Sequence, residues 1–305
     1  MTFTTSIKEE IAKQDIKNVE SEWELIAFLN CIAKVSNSDI TITVENASVA
    51  RKIYSEIKVI YGISPKIIIR MQKRFKVKQI YILVIKEKFE KIKKSINMGS
   101  KINLDMLVND EEKVAYLKGA FLAVGNISNP STSGYHLEFI LGKERLAKQI
   151  LQIVNYFDMG AKLIKRGYKN VVYIKASESI SDLIRLFQAT SSLFYFEDIR
   201  IYRDHKNTVN RLNNCEIANQ EKTYKAGLEQ IKNITYLKEE NLIDLLDEKT
   251  LLVVEMRLKY PELSFQELAS VITSETGYKI GKSGVNHRFI KINELIEKHK
   301  RSSEL

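Results

Sequence analysis

The chain has 305 residues, 44% of them hydrophobic and 28% charged, so it can bury two or three cores and is too apolar to be disordered. Its formal net charge of +10 favours a polyanionic partner, because Lys and Arg that neutralise phosphates release condensed counterions. No apolar run is long enough to span a membrane and the N-terminus lacks the blocks of a signal peptide, so we expect a cytoplasmic protein without a membrane partner.

Cysteine, histidine and glycine patterns give no sign of a cofactor. Cys31 and Cys215 lie far apart without a CxxC spacing, and none of the four histidines stands at ligand spacing from an acid or a cysteine. Gly281-Lys-Ser283 resembles the end of a phosphate loop, but Thr276 occupies the position of its first glycine. The sequence therefore predicts no disulfide, no metal, no cofactor and no small-molecule substrate.

The first part of the chain predicts an α+β arrangement. Ser6 and Glu9 have the spacing of a capping box, which predicts a short helix from Ser6 to Lys13. A helix that begins near Trp23 is apolar nearly all round and is expected to be buried, and the alternation over 39–44 predicts a half-exposed strand. A helix at 47–61, strands at 67–72 and 79–85 and a helix at 87–97 complete the pattern.

The same order of elements returns about 90 residues later, which indicates an internal repeat. The second copy predicts a helix at 112–124, a strand at 135–141, a helix at 143–156, strands at 161–166 and 170–175, and a helix at 179–189. Two equivalent halves, at about 20–97 and about 110–192, predict one pseudo-two-fold domain over residues 1–200.

Both repeats carry basic residues where a turn between strands is expected. From Ser64 to Lys94 there are eleven Lys and Arg against two Glu. The candidates for additional DNA contacts are Lys73, Arg74 and Lys76 in the first repeat and Lys165 and Arg166 in the second. A basic ribbon that straddles DNA and a solvated face of a lysine-rich protein are both compatible with this pattern.

A polar, asparagine-rich segment follows, and we expect residues 201–222 to form a linker to an all-helical domain at 223–305. Arg211 in this segment is a further candidate for a DNA contact. The structural alternative is that its polar residues cap helices and fix an interdomain turn. The residues concerned are Asn210, Arg211, Asn214, Cys215, Glu216 and Asn219.

The end of the chain has the pattern of a helix-turn-helix, at about 264–297. Ser264 and Glu267 form a capping box, and Ser283 is expected to cap a last helix whose buried stripe is Val285, Phe289, Ile292 and Ile296. The predicted DNA-binding set is Lys282, Ser283, Asn286, His287, Arg288 and Lys291. Within it, Arg288 and Asn286 are expected to contact bases and the lysines to contact phosphates. The alternative is an ordinary helical hairpin with a solvated basic face.

Residues 116–127 resemble the LAGLIDADG helix, in which a glycine permits close helix packing and a terminal aspartate holds catalytic magnesium. Val124 stands at the aspartate position, and a shift of 88 places Ser36 at the equivalent position of the first repeat. Neither side chain supplies the carboxylate that metal-dependent phosphodiester cleavage needs. We therefore expect a homing-endonuclease-like fold without catalytic activity.

Three stretches together resemble the WhiA family: Gly119–Ala123 followed by Tyr135–Glu138, then Asn210–Asn219, then Lys282–Arg288. The resemblance covers essentially the whole chain in the same order. It implies a degenerate LAGLIDADG-like domain followed by a helix-turn-helix domain. Two departures are a lengthened turn before Lys282 and Gly125-Asn126 in place of the family's paired small residues.

The resemblance also implies a function. Members of the family are bacterial transcription regulators linked to cell division and chromosome segregation, and to sporulation in some relatives. It implies double-stranded DNA as partner, a nucleoid-associated location and no enzyme activity, and it leaves open whether RNA polymerase or another regulator also binds. Two alternatives stay open: a division or nucleoid-associated factor that acts mainly through a protein partner, and a residual magnesium-dependent endonuclease.

Overall fold

The chain divides into two compact units, Met1–Asp204 and His205–Leu305. A computed structural model describes residues 2–16, 18–72, 78–99, 102, 106–132 and 134–303. Among the helices of these residues, none is long and apolar enough to cross a membrane.

The first unit begins with helix α1 (Phe3–Ala12) and then repeats one arrangement twice. The first copy comprises α2 (Asn18–Ile32), β1 (Lys34–Val35), β2 (Ile40–Val44), α3 (Ala47–Tyr61), β3 (Lys66–Gln72), β4 (Lys78–Ile85) and α4 (Phe89–Gly99). The second comprises α5 (Asp110–Val124), β5 (Gly125–Ile127), β6 (Leu137–Leu141), α6 (Glu144–Tyr156), β7 (Lys162–Arg166), β8 (Lys169–Ile174) and α7 (Ser177–Leu186).

Each copy builds one antiparallel sheet of four strands, and the two sheets have the same strand order. The orders are β1-β2-β4-β3 and β5-β6-β8-β7. Ile42 pairs with Leu83 in the first sheet and Phe139 with Val172 in the second, and all four side chains are buried. The internal repeat predicted from the sequence is confirmed, while the short strands β1 and β5 were not predicted.

Helices α2 and α5 pack against each other at the centre of the first unit. A Cβ atom on Gly119 would lie 1.9 Å from the carbonyl oxygen of Glu24 and 3.1 Å from the Cβ of Ala27, so only glycine permits this approach. Each helix has 15 residues, and their ends correspond at a shift of 92. Ile32, rather than Ser36, is therefore the counterpart of Val124.

Helix α1 begins earlier than its sequence predicts. Its N-cap is Thr2, whose hydroxyl accepts a hydrogen bond from the backbone N–H of Thr5 at 3.2 Å. The predicted capping box is wrong because Ser6 lies within the helix, where its hydroxyl donates to the carbonyl of Thr2 at 3.4 Å. Phe3, Ile7 and Ile11 are buried, so packing of one face fixes where the helix starts.

A group of charged side chains is buried beside α2. The ammonium of Lys52 on α3 lies 3.5 Å from Glu24 Oε1 and 3.4 Å from Glu56 Oε1. Burial raises the pKa of both carboxyl groups, and the neighbouring carboxylate of Glu24 raises that of Glu56 further. Lys52 thus serves both buried carboxyl groups, and the charge of Lys118 also acts on Glu24.

The second unit is all-helical. Helix α8 (Thr190–Glu239) enters it, followed by a short 3-10 helix (Ile243–Leu245), α9 (Glu248–Lys259), α10 (Phe265–Thr276) and α11 (Lys282–Ser303). Residues 201–222, predicted as a linker with an interdomain turn, are helical and lie inside α8. The core of the unit contains Ile234, Leu237, Val253, Val254, Leu268, Ile272, Val285, Phe289, Ile292 and Ile296.

Candidate nucleic-acid interface

Helix α10 starts at a reciprocal cap. The backbone N–H of Ser264 donates to Glu267 Oε2 at 2.8 Å, and the N–H of Glu267 donates to Ser264 Oγ at 3.3 Å. Gly277, in the left-handed conformation with φ 72°, ends the helix. These contacts confirm the capping box predicted at Ser264 and fix both ends of α10.

Arg257 fixes the approach to α10. Its guanidinium is buried and donates to the carbonyl oxygens of Tyr260 (3.2 Å), Pro261 (3.3 Å) and Leu263 (2.6 Å). The same group lies 5.8 Å from the ring centroids of Phe265 on α10 and Phe289 on α11. Arg257 was not predicted, although its position three residues after the apolar Val254 is a signal of burial.

The buried stripe of α11 is confirmed. Val285, Phe289, Ile292 and Ile296 are at most 3% exposed and pack on the core of the second unit. The ring of Phe289 stacks on that of Phe265 with centroids 5.5 Å apart, which couples α11 to α10. Rigid packing on this side fixes the orientation of the opposite face.

The exposed surface of α11 carries five of the six residues predicted to bind DNA. All five are exposed, and they occupy the first three turns of the helix: Lys282, Ser283, Asn286, His287 and Lys291. The helix begins at Lys282, and the N–H of Val285 donates to the carbonyl of Gly281 at 3.1 Å. Ser283 therefore lies in the first turn and is not the cap, contrary to the prediction.

Arg288 differs from the other five. Its guanidinium donates to Asp247 Oδ2 at 2.7 Å and to Thr250 Oγ1 at 3.3 Å, and its side chain is only 16% exposed. Hydrogen bonds from Thr250 and the charge of Arg288 hold the pKa of Asp247 below its usual value. The residue predicted as the likeliest base contact thus ties α11 to Asp247, which precedes α9.

The additional basic candidates have different surroundings. Lys165 is exposed at the hairpin between β7 and β8, where Arg166 pairs with Lys169. Arg166 lies 3.4 Å from Glu138 Oε2 and is therefore ion-paired in this sheet. Arg211 is exposed on α8. The remaining candidates, Lys73, Arg74 and Lys76, lie outside the described residues.

The positions that resemble the catalytic aspartates hold apolar residues. Val124 is the last residue of α5 and Ile32 the last of α2. Ser36, the equivalent expected from the sequence, lies in the turn after β1, where its N–H donates to the carbonyl of Asp39 at 2.9 Å. The correction changes the residue but not the chemistry, because neither Ile nor Ser supplies a carboxylate.

Three family models match consecutive parts of the chain. They are described as the WhiA N-terminal LAGLIDADG-like domain (residues 20–98), the WhiA LAGLIDADG-like domain (113–206) and the WhiA C-terminal HTH domain (209–296). The chain belongs to the WhiA family. The resemblance seen in the sequence and the predicted fold class are thereby confirmed.

Curated members of the family match the chain along its whole length. The "Probable cell division protein WhiA" of Staphylococcus carnosus is 36% identical, over 98% of this chain and 97% of its own. The protein of the same name from Enterococcus faecalis is 35% identical, over 99% and 100%. Both matches extend through the LAGLIDADG-like and HTH regions, so this chain has the domain content of its relatives.

Solved structures show the same fold. The crystal structure of full-length DUF199/WhiA from Thermatoga maritima matches with a TM-score of 0.57 at 22% identity, covering 98% of this chain and 99% of that one. The N-terminal LAGLIDADG domain of DUF199/WhiA matches with a TM-score of 0.50 at 21% identity, over 61% of this chain and 90% of that one. These likenesses place the two-repeat unit and the helical unit in one known architecture.

Proposed function

We propose that this WhiA-family chain is a sequence-specific transcription regulator that binds double-stranded DNA through α11 and has no catalytic activity. The observation that carries the proposal is the exposed surface of the first three turns of α11, where Lys282 and Lys291 precede and follow an amide and an imidazole on a helix fixed by its buried stripe. We call these exposed residues the α11 face. The match of residues 209–296 to the HTH model supports the proposal. A helix of this kind enters the major groove with its N-terminal residues at the base edges.

The residues of this face have complementary roles. Asn286 can pair its amide with the N6 and N7 atoms of adenine, and His287 lies beside it at the groove floor. Lys282 and Lys291, at the two ends of the face, neutralise phosphates on either side of the groove. The free backbone N–H groups of the first turn suit a phosphate as well.

Arg288 has a positioning role in this proposal. Its guanidinium is held by Asp247 at 2.7 Å, so it sets the angle at which α11 leaves the core. Release of that ion pair is needed before Arg288 can contact a base. We therefore assign base recognition to Asn286, and Arg288 is the second candidate for a base contact.

The absence of catalysis is proposed from the chemistry of two positions. Cleavage of a phosphodiester by metal ions requires carboxylates to hold them, and the ends of α5 and α2 carry Val124 and Ile32. Relatives named as probable cell division proteins support a role in division. Chromosome segregation, a location at the nucleoid in the cytoplasm and contact with RNA polymerase or another regulator belong to the same proposal.

Fluorescence anisotropy on labelled duplex DNA across a salt series tests the proposal. We expect wild type to bind with a steep salt slope and Lys282→Ala/Lys291→Ala to bind more weakly, its slope falling by about 0.9 for each phosphate that is no longer neutralised. Lys298→Ala/Arg301→Ala, near the other end of the same helix, removes equal charge and serves as control. Equal weakening in both variants would show a non-specific charge effect and contradict the assignment to this face.

A nicking assay tests the proposed lack of catalysis. Supercoiled plasmid is incubated with the wild-type chain and Mg²⁺, with a chelator-treated sample as control. We expect no conversion to the open circle beyond the control, since Val124 and Ile32 hold no metal. Magnesium-dependent nicking that co-purifies with the chain and disappears in a destabilised variant would contradict this part of the proposal.

A further inference from the structure

The middle of α8 has no buried residue. Every residue from 204 to 222 is exposed, and packing on the second unit resumes at Gly227, where a Cβ atom would lie 2.3 Å from the carbonyl oxygen of Pro261. Helices in proteins owe most of their stability to a packed face, and this stretch has none. Its five asparagines at positions 207–219 also have low helix propensity. Neither packing within the protein nor helix propensity explains why asparagines occupy these positions.

The side chains of this stretch are arranged in a line. Asn207, Asn210 and Asn214 follow one another at spacings of three and four, which places them on one face of the helix. Lys206 and Arg211 flank the line, one on each side. Between residues 205 and 215 the segment has no Asp or Glu. The result is a cationic face with three primary amides at its centre.

These five side chains have no partner in the part of the chain that the structure describes: no hydrogen bond or ion pair involves Lys206, Asn207, Asn210, Arg211 or Asn214. Asn219, on the other side of the helix, contacts the Sγ of Cys215 at 3.7 Å. Amides that capped helices or fixed a turn, the alternative predicted from the sequence, would bond to backbone groups. In a continuous helix they are directed to solvent instead.

We propose that this amide line is a second DNA-binding element, which lies in the major groove of duplex DNA. Asn side chains pair bidentately with adenine, and the flanking Lys206 and Arg211 match phosphates in charge. From Lys206 to Asn214 the helix rises about 12 Å, the length of about three to four base pairs. Exposure all round suits a groove, whose two walls contact both sides of a helix. The inference rests on the proposed function and adds a second contact surface to it.

Two amide-to-alanine variants test the inference in the full chain. Asn207→Ala/Asn210→Ala/Asn214→Ala removes the line, and Asn213→Ala/Asn219→Ala/Gln220→Ala removes amides from other faces of the same segment. Neither variant changes charge, and alanine raises helix propensity, so circular dichroism should show no loss of helix. Lys282→Ala/Lys291→Ala is measured in parallel as the variant of the α11 face.

The readout is anisotropy on labelled A·T-only and G·C-only duplexes. We expect wild type and the second amide variant to prefer the A·T duplex, and the line variant to bind it about tenfold more weakly for each bidentate Asn–adenine pair that is removed. Lys206→Gln/Arg211→Gln should lower the salt slope on both duplexes, by about 0.9 for each phosphate that is no longer neutralised.

Three other outcomes overturn the inference in distinguishable ways. If the line variant binds like wild type while the α11 variant is weakened, the second element is absent and the proposed function stands. If wild type binds neither duplex nor genomic fragments, both fail. If the line variant keeps DNA affinity but no longer self-associates in sedimentation, the line contacts a second copy of the chain and not DNA.

Discussion

Two helix pairs, α2 with α5 and α10 with α11, differ in what they expose. The first pair buries most residues of its central turns and approaches so closely at Gly119 that no Cβ fits. Its C-terminal ends, Ile32 and Val124, carry no charge. The second pair buries only one side of α11 and leaves Lys282 and Lys291 in water. The LAGLIDADG-like unit thus keeps a closely packed central helix pair, while the lysines proposed to bind DNA belong to the HTH unit.

The difference extends to charged residues. In the first unit Lys52 is buried between Glu24 and Glu56, so its charge neutralises carboxyl groups of the core. In the second unit the lysines of the α11 face are exposed, so their charges stay solvated. Substitutions of the first kind should change the free energy of unfolding and leave the exposed lysines of α11 intact. Substitutions of the second kind should change DNA affinity at constant stability.

The largest effect is expected from Lys52→Met, which removes the cation from the buried group. Loss of one partner of a buried ion pair costs about 3–5 kcal/mol, and protonation of Glu24 or Glu56 offsets part of it. Urea unfolding followed by the fluorescence of Trp23, the single tryptophan, which packs against the first unit's core, measures the loss. Lys58→Met, exposed on the same helix, is the control and should change stability little.

Gly119→Ala is expected to have the second-largest effect on the free energy of unfolding. Its Cβ would meet the backbone oxygen of Glu24 at 1.9 Å, so α2 and α5 must separate, at a cost of about 1–3 kcal/mol or more. The same Trp23 unfolding curve measures it. Gly142→Ala has no atom within 4 Å of its new Cβ and is the matched control. If the two variants had equal free energies of unfolding, α2 and α5 would not be tightly packed at Gly119.

Local sequence patterns predicted the elements of the first unit well but not their alignment. Alternation placed Ile40, Ile42 and Val44 on the buried face of β2, as the structure confirms. The repeat shift was wrong by four residues, because Ser36 lies one helical turn's worth of residues beyond Ile32, where α2 ends. A shift by one turn keeps the apolar pattern, so periodicity alone could not reveal the error.

The site was harder to predict than the fold, because burial of a charge depends on distant partners. The pattern of α11 separated exposed from buried positions, yet it could not show that Arg288 meets Asp247, 41 residues earlier. Asparagine-rich composition suggested a linker with a turn, since Asn favours turns and caps. The segment is helical instead. The three- and four-residue spacing of its asparagines, rather than their number, indicates which of them share a face of the helix.

Glu56→Gln gives a smaller effect with a definite pH dependence. Burial and the neighbouring Glu24 raise the pKa of Glu56, so between about pH 4 and that raised value the folded chain holds a proton that the unfolded chain has released. Stability therefore falls as pH rises through this window. Gln cannot ionise, so the variant should be more stable than the wild type at neutral pH and show a flatter pH profile. A steeper profile in Trp23-monitored unfolding would contradict the assignment.

The smallest expected effect on stability distinguishes two roles for Arg288. Its partner Asp247 is 53% exposed, so Arg288→Ala should cost only about 0.5–1 kcal/mol. In an Asp247→Asn background the same substitution should cost almost nothing, which isolates the ion pair. If Arg288 only positions α11, Arg288→Ala weakens binding to all duplexes alike. If Arg288 leaves Asp247 to contact a base, the loss is roughly 1–3 kcal/mol, confined to the preferred sequence, and Asp247→Asn strengthens binding by freeing the guanidinium.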